Sequence, residues 1–257
     1  MLTIDCAGKR ALITGAGQGV GREVAIYLAR AGATVLVNDL VPARCDQVVG
    51  EIRGLGFSAE ALAFDVTSWD QIQAAVATSG GIDILVNNAG NAGATGSFGL
   101  KMVADEQPED WTAFLKVNLD GVMLCTRAVL PQMIEKGDGR IVTIISDAAR
   151  LGEPRMAAYA AAKAGAAGFL RSVASEVGRH GITVNCIALG TMRTPLTGEG
   201  LEETDPERVQ SMLRGYAIRR RGTPADVAGL VAYLASPMSS WLTGQTIPLN
   251  GGLSMAL

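Results

Sequence analysis

The sequence predicts an α/β protein that folds as one domain around a parallel sheet. Three observations carry that expectation. Short β-branched runs alternate with longer amphipathic or Ala-rich stretches, the pattern of successive βαβ units. Runs such as Ile82-Asp-Ile-Leu-Val86 are apolar almost without interruption, which suits strands covered on both faces. With 257 residues, 48% hydrophobic content and 32 glycines, the chain suits a turn-rich fold with a large core.

The strands are expected, in chain order, at 10–14, 34–39, 59–65, 82–87, 140–146, 183–187 and 246–249. Helices are expected at 19–31, 41–54, 69–78, 108–136, 157–180 and 224–234. No repeat, low-complexity tract or linker divides the chain, so residues 1–257 read as a single domain. Two segments break the alternation. Residues 91–107, rich in glycine and small polar side chains, follow the fourth strand, and residues 190–215 follow the sixth. Loops this long are usually functional, and both leave carboxyl ends of strands, where open α/β sheets bind ligands. The second is expected to form a lid over substrate.

Composition excludes several classes. A formal charge of −3 with dispersed Lys and Arg leaves no footprint for nucleic acid. Arg219-Arg220-Arg221 is too short for a binding tract and is expected in a solvated or subunit-facing turn. No apolar run reaches membrane-span length, and the first residues lack a signal-peptide pattern, so a soluble, cytoplasmic protein is expected. Cys6, Cys45, Cys125 and Cys186 are scattered and read as buried free thiols. His180 is the only histidine, which excludes a Ser-His-Asp hydrolase and any metal site built on several histidines. No metal is expected.

The stretch Leu12-Ile13-Thr14-Gly15-Ala16-Gly17-Gln18-Gly19-Val20-Gly21 runs from a strand through a glycine-rich turn into a helix. Glycines there permit positive φ and let backbone N–H groups approach a pyrophosphate at the helix N-terminus. Gly15, Gln18, Gly19, Val20 and Gly21 are therefore candidate dinucleotide contacts. The next strand ends in Asp39, eighteen residues past Gly21. A carboxylate at that tip accepts hydrogen bonds from an adenosine ribose and repels a 2′-phosphate. Gln18 rather than arginine occupies the turn and Leu40 follows the acid, so no cation is expected there. NAD is favoured over NADP.

Tyr159 and Lys163 are four apart, so a helix puts them on one face with Cβ atoms about 6 Å apart. Half-ionising a tyrosine near pH 7.5 needs a shift of roughly 2.5 units, about 3.4 kcal/mol. One cation at about 4 Å offers roughly 4 kcal/mol at an effective dielectric near 20. Lys163 is thus expected to lower the Tyr159 pKa and fit it for acid/base work. Taken alone, such a pair is common on helices, and Ser146, thirteen positions upstream, is an ordinary polar strand end.

Together the motifs are more specific than any one of them. Thr14-Gly15-x-x-x-Gly19-x-Gly21, Asn87-Asn88-Ala89-Gly90, Asn118, Ser146, Tyr159-x-x-x-Lys163 and the turn at 190–194 resemble, in order, the short-chain dehydrogenases/reductases. The resemblance spans the chain. It implies a Rossmann-type, doubly wound seven-stranded parallel sheet, order 3-2-1-4-5-6-7, with helices on both faces. It implies that Asp65 and Val66 meet the adenine and that Asn88, Ala89 and Gly90 line the nucleotide crevice. Gly190, Met192 and Thr194 would hold the carboxamide, although Leu189 replaces the family's usual proline and is expected to loosen that turn. Catalysis is implied for Asn118, Ser146, Tyr159 and Lys163: Ser146 binds the substrate oxygen and Tyr159 takes the hydroxyl proton. Lys163 also contacts the nicotinamide ribose, and Asn118 anchors a water chain.

The expected function is NAD-dependent interconversion of a secondary alcohol and its ketone, with a cyclic alcohol or hydroxyacyl-CoA as substrate, in a homotetramer. Substrate contacts are expected from 91–98, 147–156 and the lid. Arg150 and Arg155 stand open between meeting an anionic substrate and pairing with Asp147 or Glu153. The rival enzyme is an NADPH-dependent 3-ketoacyl-ACP reductase; the rival of another class is an inactive NAD-binding sensor or scaffold.

Overall fold

Short apolar runs separated by helical returns of ten residues or more have one economical partner geometry, the parallel ladder. The computed structural model describes residues 4–90, 101–198 and 200–255. Its strands are β1 (Arg10–Ile13), β2 (Thr34–Val37), β3 (Ala59–Ala61), β4 (Ile84–Asn87), β5 (Gly139–Ser146), β6 (Ile182–Leu189) and β7 (Thr246–Leu249). They form one parallel sheet in the order β3-β2-β1-β4-β5-β6-β7, as expected. The helices are α1 (Gly19–Arg30), α2 (Pro42–Gly54), α3 (Trp69–Thr78), α4 (Pro108–Leu115), α5 (Gly121–Lys136) and α6 (Ala148–Leu151). They continue with α7 (Ala157–Val177), α8 (Leu201–Thr204), α9 (Pro206–Met212) and α10 (Pro224–Ala235).

Strand residues alternate between two cores, because successive side chains point to opposite faces. Ile13, Val35, Val37, Ile84 and Val142 pack with α1, α2 and α10 on one face. Leu12, Leu36, Leu85 and Ile141 pack with α3, α5 and α7 on the other. All four cysteines are buried and free, and burial raises the thiol pKa of each. No helix among the described residues is long and apolar enough to cross a membrane.

Several boundaries differ from expectation, some for plain physical reasons. The second and third strands stop early because the Asn38 side chain replaces the ladder, its Nδ2 donating to the Leu62 and Phe64 carbonyls at 3.1 and 3.0 Å. The helix expected at 108–136 is interrupted by a π-helical turn at Lys116–Asp120, where Asn118 Nδ2 donates to the Phe114 carbonyl at 3.0 Å. Such turns widen the helix by one residue and re-aim a side chain. The segment 190–215 contains α8 and α9, whose Val209 joins Leu213 and Tyr216 in a small core of its own.

The central strand is pinned where the site begins. Asn87 Nδ2 donates to both the Thr126 and Thr143 hydroxyls at 3.1 Å, tying β4 to α5 and β5. All three residues are buried. Asn87→Ala is expected to destabilise the fold by about 2 kcal/mol, read as a lower denaturant midpoint with unchanged slope.

Candidate active site

The glycine-rich turn does at close quarters what its composition suggests. Gly15 and Gly19 adopt positive φ, 63° and 56°. Gly15 lies so near the fourth strand's exit that a Cβ on it would stand 2.8 Å from Ala89 Cα. A Cβ on Gly21 would meet Asn88 Nδ2 and the Gly15 carbonyl, both at 2.4 Å. Asn88 Nδ2 donates to the Thr14 and Gly15 carbonyls at 2.9 and 3.0 Å, and Thr14 Oγ1 accepts from the Asn88 and Ala89 amides at 3.0 Å. Thr14 thus welds the turn to the crevice, a part that counting glycines overlooks. Gln18 caps α1 in extended conformation, Val20 packs partly buried against the core, and no acidic residue occupies the first turn. The free amides and positive dipole end of α1 fit a dinucleotide pyrophosphate.

The other candidate cofactor residues lie in the turns that follow β3 and β6. Val66 is buried against Gly121, whose Cβ would stand 3.0 Å from Val66 Cγ2. Asp65 Oδ1 accepts from the Thr67 amide and hydroxyl at 2.8 Å, closing a tight turn after β3. Gly190 packs on Asn250, and its amide donates to the Leu249 carbonyl at 3.3 Å. The Thr197 hydroxyl donates to the Met192 carbonyl at 2.5 Å and sits 3.0 Å from the Thr194 hydroxyl. Tyr216 OH accepts from the Thr191 amide at 2.9 Å. These bonds hold a turn that was expected to be loose without its proline. Thr194 approaches the start of α1: a Cβ on Gly19 would lie 3.7 Å from it.

Asp39 is buried and already engaged. Its Oδ2 accepts from the Gly17 amide at 3.2 Å and its Oδ1 from the Val41 amide at 3.0 Å. Leu40 beside it is exposed. The expectation that no cation stands here is corrected: Arg44 Nη1, from the first turn of α2, lies 3.8 Å from Asp39 Oδ1. Inspecting the turn and the residue after the acid missed it, because one helical turn brings residue 44 back over Asp39.

Ser146 ends β5, and Tyr159 and Lys163 stand on the first turns of α7. The Ser146 hydroxyl, beside the Tyr159 phenol, pulls its pKa down, but burial pushes harder, assisted by the Glu153 carboxylate. The phenol pKa is therefore raised. Lys163 is only 4% exposed, and burial lowers its ammonium to about 8. Its Nζ donates to the Ile144 carbonyl at 3.0 Å and lies 5.9 Å from the Tyr159 ring centroid. The expected lowering of the tyrosine pKa by Lys163 is thus corrected for this chain by itself. A Cβ on Gly90 would stand 3.1 Å from Asn118 Oδ1 and 3.4 Å from Lys163 Nζ, so the fully buried Asn118 and Lys163 share one small space. Phe114 meets Tyr159 edge-on, ring centroids 6.4 Å apart. A hydroxyl, a phenol, an ammonium and an amide therefore meet at the carboxyl ends of β4 and β5, a constellation suited to moving a proton on and off an oxygen.

The surrounding loops resolve the open arginines. Arg150 pairs with Asp147 at 2.8 Å, and its Nη1 also donates to Ser254 Oγ at 2.7 Å. Arg155 is exposed with φ 64°, the one positive value among described residues other than glycine. The triple arginine is corrected at one position: Arg219 and Arg220 are exposed, Arg220 pairing with Asp226, but Arg221 is buried, binding Glu202 and the Thr197 and Gly198 carbonyls. Residues 91–98, expected to contact substrate, and Glu199 of the expected lid lie outside the described residues.

Known proteins share both sequence and architecture with this chain. The family model described as short chain dehydrogenase matches residues 9–205. The chain is 39% identical over 249 residues to a 7alpha-hydroxysteroid dehydrogenase of Escherichia coli, covering 95% of this chain and 94% of the other. It is 38% identical over 251 residues to a 3-oxoacyl-[acyl-carrier-protein] reductase of Synechocystis, covering 95% and 96%. A 3-oxoacyl-[acyl-carrier protein] reductase from Brucella melitensis with bound NAD superposes with TM-score 0.89 at 35% identity, covering 99% and 94%. A gluconate 5-dehydrogenase from Burkholderia cenocepacia in complex with NADP and tartrate gives 0.90 at 34%, covering 99% and 98%. With these matches over nearly its whole length, the chain belongs to the short-chain dehydrogenases and is an oxidoreductase of that type.

Proposed function

We propose that this chain is an NAD-dependent oxidoreductase that interconverts a secondary alcohol and its ketone. One observation carries the reading: the Ser146 hydroxyl stands beside the Tyr159 phenol, near enough to pull its pKa down, with Lys163 one turn further along α7. When bound, a nicotinamide dinucleotide supplies the hydride acceptor or donor. Gly15, Gln18, Gly19, Val20 and Gly21 hold its pyrophosphate and Asp39 its adenosine ribose, with Leu40, Asp65 and Val66 at the adenine end. Asn88, Ala89, Gly90, Gly190, Met192 and Thr194 line the nicotinamide half. Ser146 donates a hydrogen bond to the substrate oxygen, and Tyr159 takes or returns the hydroxyl proton. Lys163 orients the ribose and assists proton movement, and Asn118 anchors the path by which the proton leaves.

The substrate is a cyclic alcohol or a hydroxyacyl thioester, with residues 190–215 closing over it as a lid. Free buried thiols suit a reducing cytoplasm. A homotetramer suits the exposed Ala157, Ala161 and Ala164 on α7, where small side chains let a second helix approach. Arg44 beside Asp39 favours a second reading, an NADPH-dependent 3-ketoacyl-ACP reductase, because a guanidinium there offers a 2′-phosphate a partner.

Steady-state rates over cyclohexanol, a hydroxysteroid and a 3-hydroxyacyl-CoA test the activity. Tyr159→Phe is expected to lower kcat by roughly 10²–10⁴-fold with NADH affinity nearly unchanged; retained turnover would overturn the role of Tyr159. Binding titrations should give a lower Kd for NADH than for NADPH, and Arg44→Ala should weaken NADPH alone by roughly tenfold, about 1.4 kcal/mol. Tighter NADPH binding by the unaltered chain would favour the second reading.

The Lys163 pKa, about 8 in the fold against an ordinary 10.5, sets a pH dependence of stability. Between those values the unfolded chain holds more protons, so unfolding free energy rises with pH across that window. Below pH 8 the buried charge opposes folding in full. Lys163→Met should therefore gain stability relative to the unaltered chain on going from pH 10 to pH 7, by on the order of 3 kcal/mol, in denaturant titrations at each pH.

A further inference from the structure

The residue after Ser146 is a carboxylate with no part in the chemistry above, yet it is only 2% exposed. A buried carboxylate is expensive unless every oxygen has donors. Asp147 has them, and they come mainly from the far end of the sequence. Its Oδ2 accepts from Asn250 Nδ2 at 2.7 Å, and its Oδ1 accepts from Ser254 Oγ at 2.9 Å and Arg150 Nη1 at 2.8 Å. Asn250 Nδ2 also donates to the Ser254 carbonyl at 3.1 Å and its hydroxyl at 2.9 Å, while Asn250 Oδ1 accepts from the Gly252 amide at 3.0 Å. Four side chains thus close a ring between the loop after β5 and the turn after β7.

The same turn braces the other wall of the site. Asn250 packs on Gly190, where a Cβ would stand 3.1 Å from Asn250 Cα. The Gly251 carbonyl accepts from the Ile218 amide at 2.8 Å, in the segment whose Tyr216 holds Thr191. On the substrate side, the Asp147 amide donates to the Leu189 carbonyl at 2.9 Å, and Ser146 Oγ accepts from the Ala148 amide at 3.2 Å. The Ser146 hydroxyl is therefore flanked by the anchored residue and by the helix that Asp147 starts.

We propose that Asp147 is a positioning residue, through which the turn at 250–254 fixes the Ser146 hydroxyl against Tyr159. This rests on the dehydrogenase reading for its consequence, though not for the brace itself. A fully satisfied buried network is rigid, and loss of one member releases the rest. The ring also accounts for Arg150: its charge is spent on Asp147, so it serves the brace and not an anionic substrate.

Two measurements on the full chain decide the matter. Amide hydrogen exchange of residues 147–152 reads the brace without any reaction. The kcat/KM for the fastest alcohol of the panel, beside the Kd for NADH, reads its consequence. Ser254→Ala and Asp147→Asn are each expected to speed exchange there at least tenfold and to lower kcat/KM at least tenfold. NADH affinity should stay within threefold. Ser254→Thr keeps the hydroxyl in the ring, and should leave both readouts within threefold of the unaltered chain.

Unchanged exchange and kinetics in Ser254→Ala would overturn the proposal. So would an equal fall in NADH affinity, or an equal loss in Ser254→Thr. Should Asp147→Asn not fold, Ser254→Ala, which keeps the carboxylate and two of its donors, decides alone. If the unaltered chain oxidises no alcohol of the panel with either coenzyme, the dehydrogenase reading fails and the exchange result still judges the brace.

Discussion

An ammonium buried at the meeting point of β4, β5 and α7 constrains everything around it. Lys163 needs an acceptor inside the protein, and the Ile144 carbonyl supplies one at 3.0 Å. It needs space, which the glycine at position 90 leaves open, with Asn118 Oδ1 on the same side. Meeting both demands requires strand ends far apart in sequence to lie side by side, as the parallel order does. Among the described residues no carboxylate pairs with this lysine. Burial alone lowers its affinity for protons to about pH 8.

That single fact changes how the tyrosine is understood. A cation touching the phenol in a medium of intermediate polarity could have kept it half-ionised at neutral pH. Instead Lys163 lies 5.9 Å from the ring centroid, and burial outweighs the help that Ser146 gives the phenolate. The phenol of the chain by itself therefore holds its proton. Under the proposed reading Ser146 contributes most by aiming the substrate hydroxyl, and the groups that hold Ser146 matter accordingly.

The sequence disclosed the parts of this arrangement that repeat a short-range rule. Alternating apolar runs gave away the sheet, and the glycines around Gln18 gave away the turn into α1. Tyr159 and Lys163 were visible because helical spacing is fixed. Less visible was whatever depended on distant or unexpected neighbours. Asn118 lies in a π-helical turn that no propensity marks, and Arg44 reaches Asp39 only once α2 has formed. Arg221 looked like part of a solvated basic cluster, yet it lies buried against Glu202 and the Thr197 and Gly198 carbonyls. Asp147 and Ser254, 107 residues apart, meet only in the folded chain. The expected tyrosine shift failed because burial, which only the folded chain brings, outweighs what favours the phenolate.

Under the proposed reading, substrate choice belongs to the loop after Ser146 and to the segment carrying α8 and α9. The proton-handling groups sit on the sheet and α7, so loop variation can alter the substrate without moving them. The central claim, that Tyr159 and Ser146 act where a carbinol carbon meets a nicotinamide, is tested most directly by isotope transfer. Cyclohexanol, or the fastest alcohol found, deuterated at its carbinol carbon is incubated with NAD and the coenzyme examined by mass spectrometry. The account predicts one deuterium per turnover in the reduced coenzyme, with Tyr159→Phe forming almost none. Coenzyme reduced without deuterium, or labelled equally well by Tyr159→Phe, would contradict it.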